Sequence, residues 1–317
     1  MRCTTLLAAG LAVLAIALTA CGDPDRVTAK NPRDKPCPPP PEPEYQSVVL
    51  GTIGKYHLVE SRYPITRVGD VLAAFKPDLV LLGIRVDAFR EGRLEDASFE
   101  MTYAASFAKT RGIPIEPVDW RADAETPAGT GAAARPEVEP ADAVEIARRE
   151  ADVLARPPLY TFEQANGREL EERVFLATAA ETRHRAGNGP ASRRRGWLEQ
   201  LTVDAVVRHG RPKRILAVVD VFDRPAIDLA VRLAGYDARD PVAIATAAKE
   251  VAPPELPSEV LAQYREQLAR ARSHAASGGA ASKAAWEERA KVLDLVVEKR
   301  GTCCVTQSAL GNAPERR

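Results

Sequence analysis

Short runs of apolar residues alternate with longer amphipathic stretches along the middle of the chain. Apolar runs bounded by Gly, Pro or charged residues predict buried strands, and apolar residues spaced three and four apart predict helices. The predicted strands are 47–53, 79–82, 113–120 and 215–219. The predicted helices are 65–75, 100–111, 195–208 and 225–234. This alternation is typical of an α/β fold, with a mainly parallel or mixed central sheet flanked by helices.

Two further regions are helical in composition and add helices to the α/β domain. The first predicts a helical insertion at about 140–190, inside an α/β domain that spans 47–250. It follows a segment rich in Ala, Gly, Pro and Thr, which predicts a surface excursion. The second predicts a helical C-terminal extension over 251–317. The helical stretches are 141–155 and 170–185 in the insertion, and 258–272 and 282–300 in the extension.

The first residues have the pattern of a bacterial lipoprotein signal peptide. A basic residue precedes an apolar run at 6–18 that is short for a membrane span, and Leu18-Thr19-Ala20-Cys21 has the pattern of a lipobox. We expect residues 1–20 to be removed and Cys21 to carry the lipid that anchors the protein to a membrane of the cell envelope. An uncleaved signal anchor or a buried helix has a similar apolar run, but neither requires small residues before a cysteine. The Gly after Cys21 favours the periplasmic face of the outer membrane if the cell is Gram-negative.

A proline-rich segment follows Cys21 and is expected to connect the lipid to the domain. Three cysteines remain besides those of the signal peptide and the lipobox. Residues 21–46 predict a semi-rigid tether because prolines favour extended polyproline II backbone. Adjacent cysteines bridge only through a strained peptide, so we expect Cys37 to pair with Cys303 or Cys304 and one thiol to stay outside this bridge. A metal site at Cys303 and Cys304 lacks a second nearby pair of ligands.

The charge balance disfavours one class of partner. The chain has 44 basic and 44 acidic residues and a formal net charge of zero. It therefore has no basic excess of the kind that nucleic-acid binding requires. The basic run Arg193-Arg194-Arg195 predicts a solvated face without a partner. A protein or a small ligand remains the expected partner, besides the membrane reached through Cys21.

Several segments share an order of strand, turn and helix residues. They are 48–53, 63–64, 76–82, 99–103, 111–114, 119–120, 214–219 and 232–236. Taken together, they resemble the Tiki/TraB superfamily, which includes ChaN-like haem-binding lipoproteins, TraB/GumN-like proteins and Tiki metalloproteases. The resemblance covers roughly residues 47–240, with a gap around the helical middle. It implies an α/β fold whose chemistry lies at the carboxyl edge of the sheet, where open α/β sheets bind ligands.

The motif positions implied by this resemblance are altered in the chain. Members of the superfamily have two Gly-x-x-His motifs at strand ends and an acidic residue after the second strand. The first motif here is Gly51-Thr52-Ile53-Gly54, and the second is Asp220-Val221-Phe222-Asp223. Gly83 stands where the relatives have Glu. Glycine offers neither the lone pair nor the proton that imidazole supplies to a metal or a reaction.

Four polar residues near these positions are the candidate site residues. His57 restores the Gly-x-x-His spacing three residues late, and Arg85 is a candidate anion-binding group. Asp220 and Asp223 are candidates for a relict or repurposed acidic site. Each has a structural alternative, namely a hydrogen-bonded loop histidine, an ion pair, and carboxylates that cap a turn.

Three functions follow from this sequence pattern. The leading hypothesis is a catalytically degenerate Tiki/TraB-like domain that serves as a binding or interaction module. An alternative is a metal-dependent hydrolase of peptidase or esterase type, in which His57, Asp220 and Asp223 form a rearranged site. A further alternative is carriage of haem or a small ligand, with His57 or Tyr56 as the axial ligand. The candidate cofactors are accordingly a divalent metal or haem. A rearranged site requires His57, Arg85 and the two aspartates to share one pocket.

Overall fold

At the centre of the fold lies a parallel sheet whose strands are β1 (Gln46–Thr52), β2 (Leu79–Arg85), β3 (Ile115–Asp119), β4 (Arg214–Asp220) and β5 (Asp237–Ala238). The computed structural model of the chain describes residues 43–120, 153, 157–184, 190–248, 255–302, 305–306 and 310. The strand order across the sheet is β3-β2-β4-β1-β5, and all neighbouring strands are parallel. The predicted α/β class is confirmed, and helices flank the sheet.

The long strands form at the densest runs of branched apolar residues. Residues 215–219 of β4 and 79–82 of β2 are buried throughout, without the alternation of a half-exposed strand. Continuous apolar runs are expected where helices cover both faces of a parallel sheet. Each predicted strand lies within a few residues of an observed one. The two-residue β5 was not predicted, since it is too short to produce an apolar pattern.

Helices of very different length connect and extend the sheet. In chain order they are α1 (Thr66–Phe75), α2 (Val86–Arg90), α3 (Phe99–Thr110), α4 (Phe162–Asn166), α5 (Arg168–His184), α6 (Pro190–Arg208), α7 (Arg224–Leu233), α8 (Pro241–Ala247), α9 (Ser258–Ser277) and α10 (Ala280–Glu298). Two short 3₁₀ helices occupy Gly54–Leu58 and Leu94–Asp96. The predicted helices of the α/β domain correspond to α1, α3, α6 and α7. Helix α6 begins five residues earlier than predicted.

The sheet separates two hydrophobic cores. On one face, α1 and α3 pack against Leu50 and Leu82, and this core continues into α9 and α10 of the C-terminal extension. On the other face, α6 and α7 pack against Leu81 and Val219. Successive residues of the strands therefore contribute to opposite cores, which requires apolar side chains on both faces.

Side chains complete the outer edge of β1, because β5 pairs with only its first two residues. The amide of Asn166 in α4 accepts a hydrogen bond from the Gly51 backbone N–H (2.9 Å), and its Nδ2 donates to the Gly51 carbonyl oxygen (3.4 Å). Arg224 at the start of α7 donates from Nε to the Val49 carbonyl oxygen at 3.1 Å. Asn166 of the helical insertion and Arg224 of α7 thus satisfy backbone groups that a longer β5 would otherwise pair.

Several sequence predictions lie outside the described residues. They concern the signal peptide over 1–20, the acylated Cys21, most of the tether, the cysteines Cys37, Cys303 and Cys304, and the first part of the insertion. The rest of the insertion contains α4 and α5, and the extension is the helical pair α9 and α10. Within the described ranges, no helix combines the length and apolar character needed to cross a membrane.

Candidate functional site at the carboxyl edge of the sheet

The carboxyl ends of β1 and β4 form a topological switch point. These strands are neighbours, but the chain leaves β1 towards β2 with α1 on one face, and leaves β4 towards β5 with α7 on the other. Loops diverge at such a point, and open parallel sheets bind ligands in the crevice between them. Arg85 ends β2, whereas Asp220 and Asp223 end and follow β4. The parallel topology therefore places the candidate residues along one edge of the sheet.

His57 lies in the hydrophobic core beneath this edge, with none of its surface exposed. Its Nδ1 lies 2.8 Å from the Tyr63 carbonyl oxygen, and its Nε2 accepts a hydrogen bond from the Ile53 backbone N–H at 3.4 Å. Because a carbonyl oxygen only accepts, Nδ1 must carry the proton. The Tyr63 ring packs edge-on to the imidazole at a centroid distance of 4.4 Å. Both ring nitrogens are thus used within the protein.

Burial also holds the imidazole neutral. Desolvation lowers the pKa of His57 from 6.5 to about 4, although the hydrogen bond to Tyr63 acts in the opposite direction. The ring makes no described contact with Asp220, Asp223 or Arg85. The contacts described for His57 are therefore with backbone groups and core side chains, and none of them joins it to the other predicted members of a rearranged site. The structure places His57 in the hydrogen-bonded structural role that the sequence left open as its alternative.

Asp223 belongs to a charged cluster that spans the ends of β3 and β4. Arg194 near the start of α6 donates from Nη2 to Asp119 Oδ1 (2.7 Å) and to Asp223 Oδ2 (2.8 Å), and its Nη1 also contacts Asp223. Asp119 is 5% exposed. Although burial opposes it, the two carboxylates raise the pKa of Arg194. The prediction that this basic run is a solvated face is therefore wrong for Arg194, which binds two carboxylates within the protein.

The other two candidates have local partners. Asp220 Oδ1 accepts a hydrogen bond from the backbone N–H of Phe222 at 2.9 Å, which stabilises the turn after β4. Arg85 donates from Nε to Asp87 Oδ1 at 3.0 Å. Arg93 also contacts Asp87, so this acidic side chain lies between two guanidinium groups. These contacts are the ones expected from the structural alternatives, in which Asp220 caps a turn and Arg85 forms an ion pair.

Glu100 is a buried acid at this edge that the sequence did not single out. It lies in the first turn of α3, is 1% exposed, and places Oε1 at 2.8 Å from the hydroxyl of Thr52. The same hydroxyl lies 3.0 Å from the Val219 carbonyl oxygen. A hydroxyl has one proton, so both contacts are satisfied when Thr52 donates to Val219 and a protonated Glu100 donates to Thr52. Burial correspondingly raises the pKa of Glu100.

The raised pKa of Glu100 predicts how Glu100→Gln changes stability with pH. A folded-state pKa above the unfolded value of 4.5 means that the stabilising contribution is complete below pH 4.5 and is lost as the pH rises through the folded pKa. The neutral amide avoids this loss. We therefore expect the variant to be at least as stable as the wild type at pH 7.5, with the difference disappearing towards pH 4.5, in urea unfolding followed by circular dichroism. Glu259→Gln, on the exposed start of α9, is the control. A difference in stability that stays the same from pH 4.5 to pH 7.5 would contradict the raised pKa of Glu100.

The C-terminal extension reaches the switch point and supplies further charges. Lys55, in the 3₁₀ helix after β1, is 1% exposed, and its Nζ lies 2.9 Å from Glu288 of α10. The adjacent Arg289 donates from Nε to the Glu95 carbonyl oxygen at 2.8 Å. The edge at which parallel sheets bind ligands is thus contacted by the protein's own helix.

Sequence reasoning missed Asp119, Arg194, Glu100 and Lys55 for different reasons. Asp119 follows an apolar strand, so its position at the carboxyl edge was available from the sequence. The partners of the others lie far along the chain, as the 233 residues between Lys55 and Glu288 illustrate. No local pattern identifies such pairs.

Within the described residues, no three His, Cys, Asp or Glu side chains converge to form a metal site. At the carboxyl edge, Asp119 and Asp223 bind Arg194, whereas Glu100 binds the Thr52 hydroxyl. Comparison of the chain with protein-family models, with curated proteins and with solved structures gave no match.

Proposed function

We propose that this chain is a lipid-anchored protein of the bacterial cell envelope whose domain is a catalytically degenerate relative of the Tiki/TraB superfamily. In this proposal the domain acts by binding a protein or a small ligand, and Cys21 carries the anchor. The superfamily assignment depends on the sequence resemblance, and the anchor depends on the lipobox.

The observation that supports the loss of catalysis is the internal pairing at the carboxyl edge. His57 has both ring nitrogens bonded to backbone, and Asp223 is held by Arg194. A general base needs a lone pair within hydrogen-bond reach of its substrate, and a metal ligand needs one directed at the ion. These groups would have to break existing hydrogen bonds in a buried environment before they could serve either role. Gly54 and Gly83 replace two further functional groups.

The anchor is tested in bacterial cells that express the full chain. We expect an alkyne-tagged fatty acid to label the protein, the protein to partition into the detergent phase, and Cys21→Ser to abolish both. An unlabelled wild-type protein would contradict the anchor.

The absence of turnover is tested separately. The full chain, purified in detergent, is expected to hydrolyse neither p-nitrophenyl esters nor fluorogenic peptides when Mn²⁺, Co²⁺ or Zn²⁺ is added. Stoichiometric bound metal, together with turnover that Asp220→Asn or Glu100→Gln removes without unfolding the domain, would overturn the degenerate assignment. These two substitutions are preferable to changes at His57, because His57 contributes to the core.

A further inference from the structure

The amino edge of the sheet, where the strands begin, carries a concentration of exposed basic side chains. The strand register aligns the starts of β1, β4, β2 and β5 at this edge, and α1, α3, α6 and α7 all end close to it. Basic residues are favoured near helix C-termini by the negative end of the helix dipole. The parallel topology gathers these residues on one side of the molecule. They are Lys76, Lys109, Arg111, Arg211, Lys213 and Arg239.

These basic side chains differ in their pairing from those at the carboxyl edge. Arg194 and Lys55 each bind a carboxylate there. At the amino edge, no acidic group of the described residues forms an ion pair with Lys76, Lys109 or Arg111, nor with Arg211. The neighbouring acids Asp78, Glu44 and Glu116 are already paired with Arg214, Lys213 and Arg208. Asp237, the exposed first residue of β5, is a further acid at this edge. Against this one carboxylate the basic side chains leave an excess of positive charge, on a chain with no net charge.

Two exposed apolar side chains lie beside this charge. Leu233, the last residue of α7, is 74% exposed, and Val207, one residue before the end of α6, is 64% exposed. Helices α6 and α7 pack against the same face of the sheet and end at the same edge. Surfaces that bind the interface of a lipid bilayer combine basic and apolar side chains in this way.

The chain also enters the domain at the amino edge. The guanidinium of Arg211 lies 5.1 Å from the centre of the Tyr45 ring, and Lys213 Nζ lies 3.6 Å from Glu44. The first residues of the domain, Glu44 and Tyr45, therefore lie next to the basic side chains. A lipid on Cys21 would keep a bilayer at high local concentration, so a weak surface attraction would suffice for contact.

We propose that the amino edge of the sheet docks on an anionic phospholipid surface. Its basic side chains contact headgroup phosphates, and the carboxyl edge faces away from the membrane. The choice of a membrane as the partner rests on the proposed lipid anchor. The orientation is new, because an anchor at the end of a long tether does not by itself bring any particular face of the domain to the bilayer.

The test uses the mature chain from residue 22 without lipid, which contains the whole unit from Glu44 to Arg317. We expect it to co-sediment with vesicles of phosphatidylethanolamine and phosphatidylglycerol, more weakly at high salt, and not with vesicles of phosphatidylcholine alone. Lys76→Glu combined with Lys109→Glu, both at exposed lysines without an ion pair among the described residues, is expected to lower the partition coefficient at least about tenfold. Lys283→Glu combined with Lys291→Glu makes the same change in net charge on α10, and is expected to leave most of the binding.

Two results would overturn the proposal. One is equal binding to anionic and zwitterionic vesicles, and the other is an equal loss in the two double variants, each shown to be folded by circular dichroism. Neither measurement involves Cys21, so a failed anchor and a failed docking surface are distinguishable. Vesicle binding by a chain whose Cys21 takes up no fatty acid in cells would reject the anchor and keep the docking surface.

Discussion

Replacement of His57 by leucine is expected to lower the free energy of unfolding by roughly 2 to 5 kcal/mol, because it leaves two buried backbone groups without partners. These groups are the Ile53 N–H and the Tyr63 carbonyl oxygen, which now bond to the imidazole. The measurement is urea unfolding at pH 7.5, followed by circular dichroism. Although leucine supplies apolar volume, it offers neither a donor nor an acceptor.

The pH dependence of the free energy of unfolding isolates the part of the stability that comes from the titration of His57. The folded-state pKa of His57, about 4, lies below the unfolded value of 6.5. Between these values the unfolded chain binds a proton that the folded protein does not, so wild-type stability from this group is lost as the pH falls from 6.5 towards 4. The shift corresponds to about 3 kcal/mol. We expect His57→Leu to lack this component.

His209→Leu is the matched control for His57→Leu. His209 is partly exposed and its Nε2 lies 2.9 Å from Glu116, so we expect its replacement to change stability by less than about 1 kcal/mol. Nitrogen chemical shifts of the imidazoles provide an independent check, with His57 neutral and protonated on Nδ1 at pH 5. Equal effects of the two substitutions, or a charged His57 at pH 5, would contradict the structural role.

Replacement of Arg194 by methionine is expected to destabilise the domain by about 3 kcal/mol, because the change removes the guanidinium that Asp119 and Asp223 share. Methionine approximates the length of the arginine stem but has no charge. Chemical unfolding at neutral pH measures the effect. In the methionine background, Asp119→Asn with Asp223→Asn should recover part of the lost stability, since it removes the two carboxylate charges that have lost the guanidinium.

The next residue along the chain provides the control for Arg194. Arg195 pairs with Glu199 one helical turn away, and both side chains are partly solvated. Exposed pairs of this spacing contribute less than about 1 kcal/mol, so Arg195→Met should have a small effect. If the two methionine variants unfold at the same urea concentration, the cluster of Arg194 with the two aspartates is not a structural link between β3 and β4.

These substitutions also bear on function, since they separate structural from catalytic uses of the same edge. His57 and Arg194 are expected to affect folding, whereas changes at Glu100 and Asp220 test for residual chemistry. A polar residue at the carboxyl edge of a parallel sheet is therefore not by itself a sign of activity. Its partners decide its role.

The sequence by itself determined the α/β class, the succession of the long strands and helices along the chain, and the edge of the sheet at which the candidate residues lie. Burial on both faces requires continuous apolar runs, which are visible without a structure, and a residue that follows a parallel strand must lie at the carboxyl edge. The prediction of a lipobox at Cys21 also depends on the sequence alone.

Only the tertiary structure decided what those residues bind. Hydrogen bonds and ion pairs depend on distance in space, so the pairing of Arg194 with Asp119 and of Lys55 with Glu288 has no counterpart in local spacing. The chain turns His57 inward because the loop after β1 forms a 3₁₀ helix, whereas its motif spacing suggested a site at the strand end. The switch point is contacted by α10 because the C-terminal helices pack against α3, a long-range contact that no periodicity in the sequence encodes.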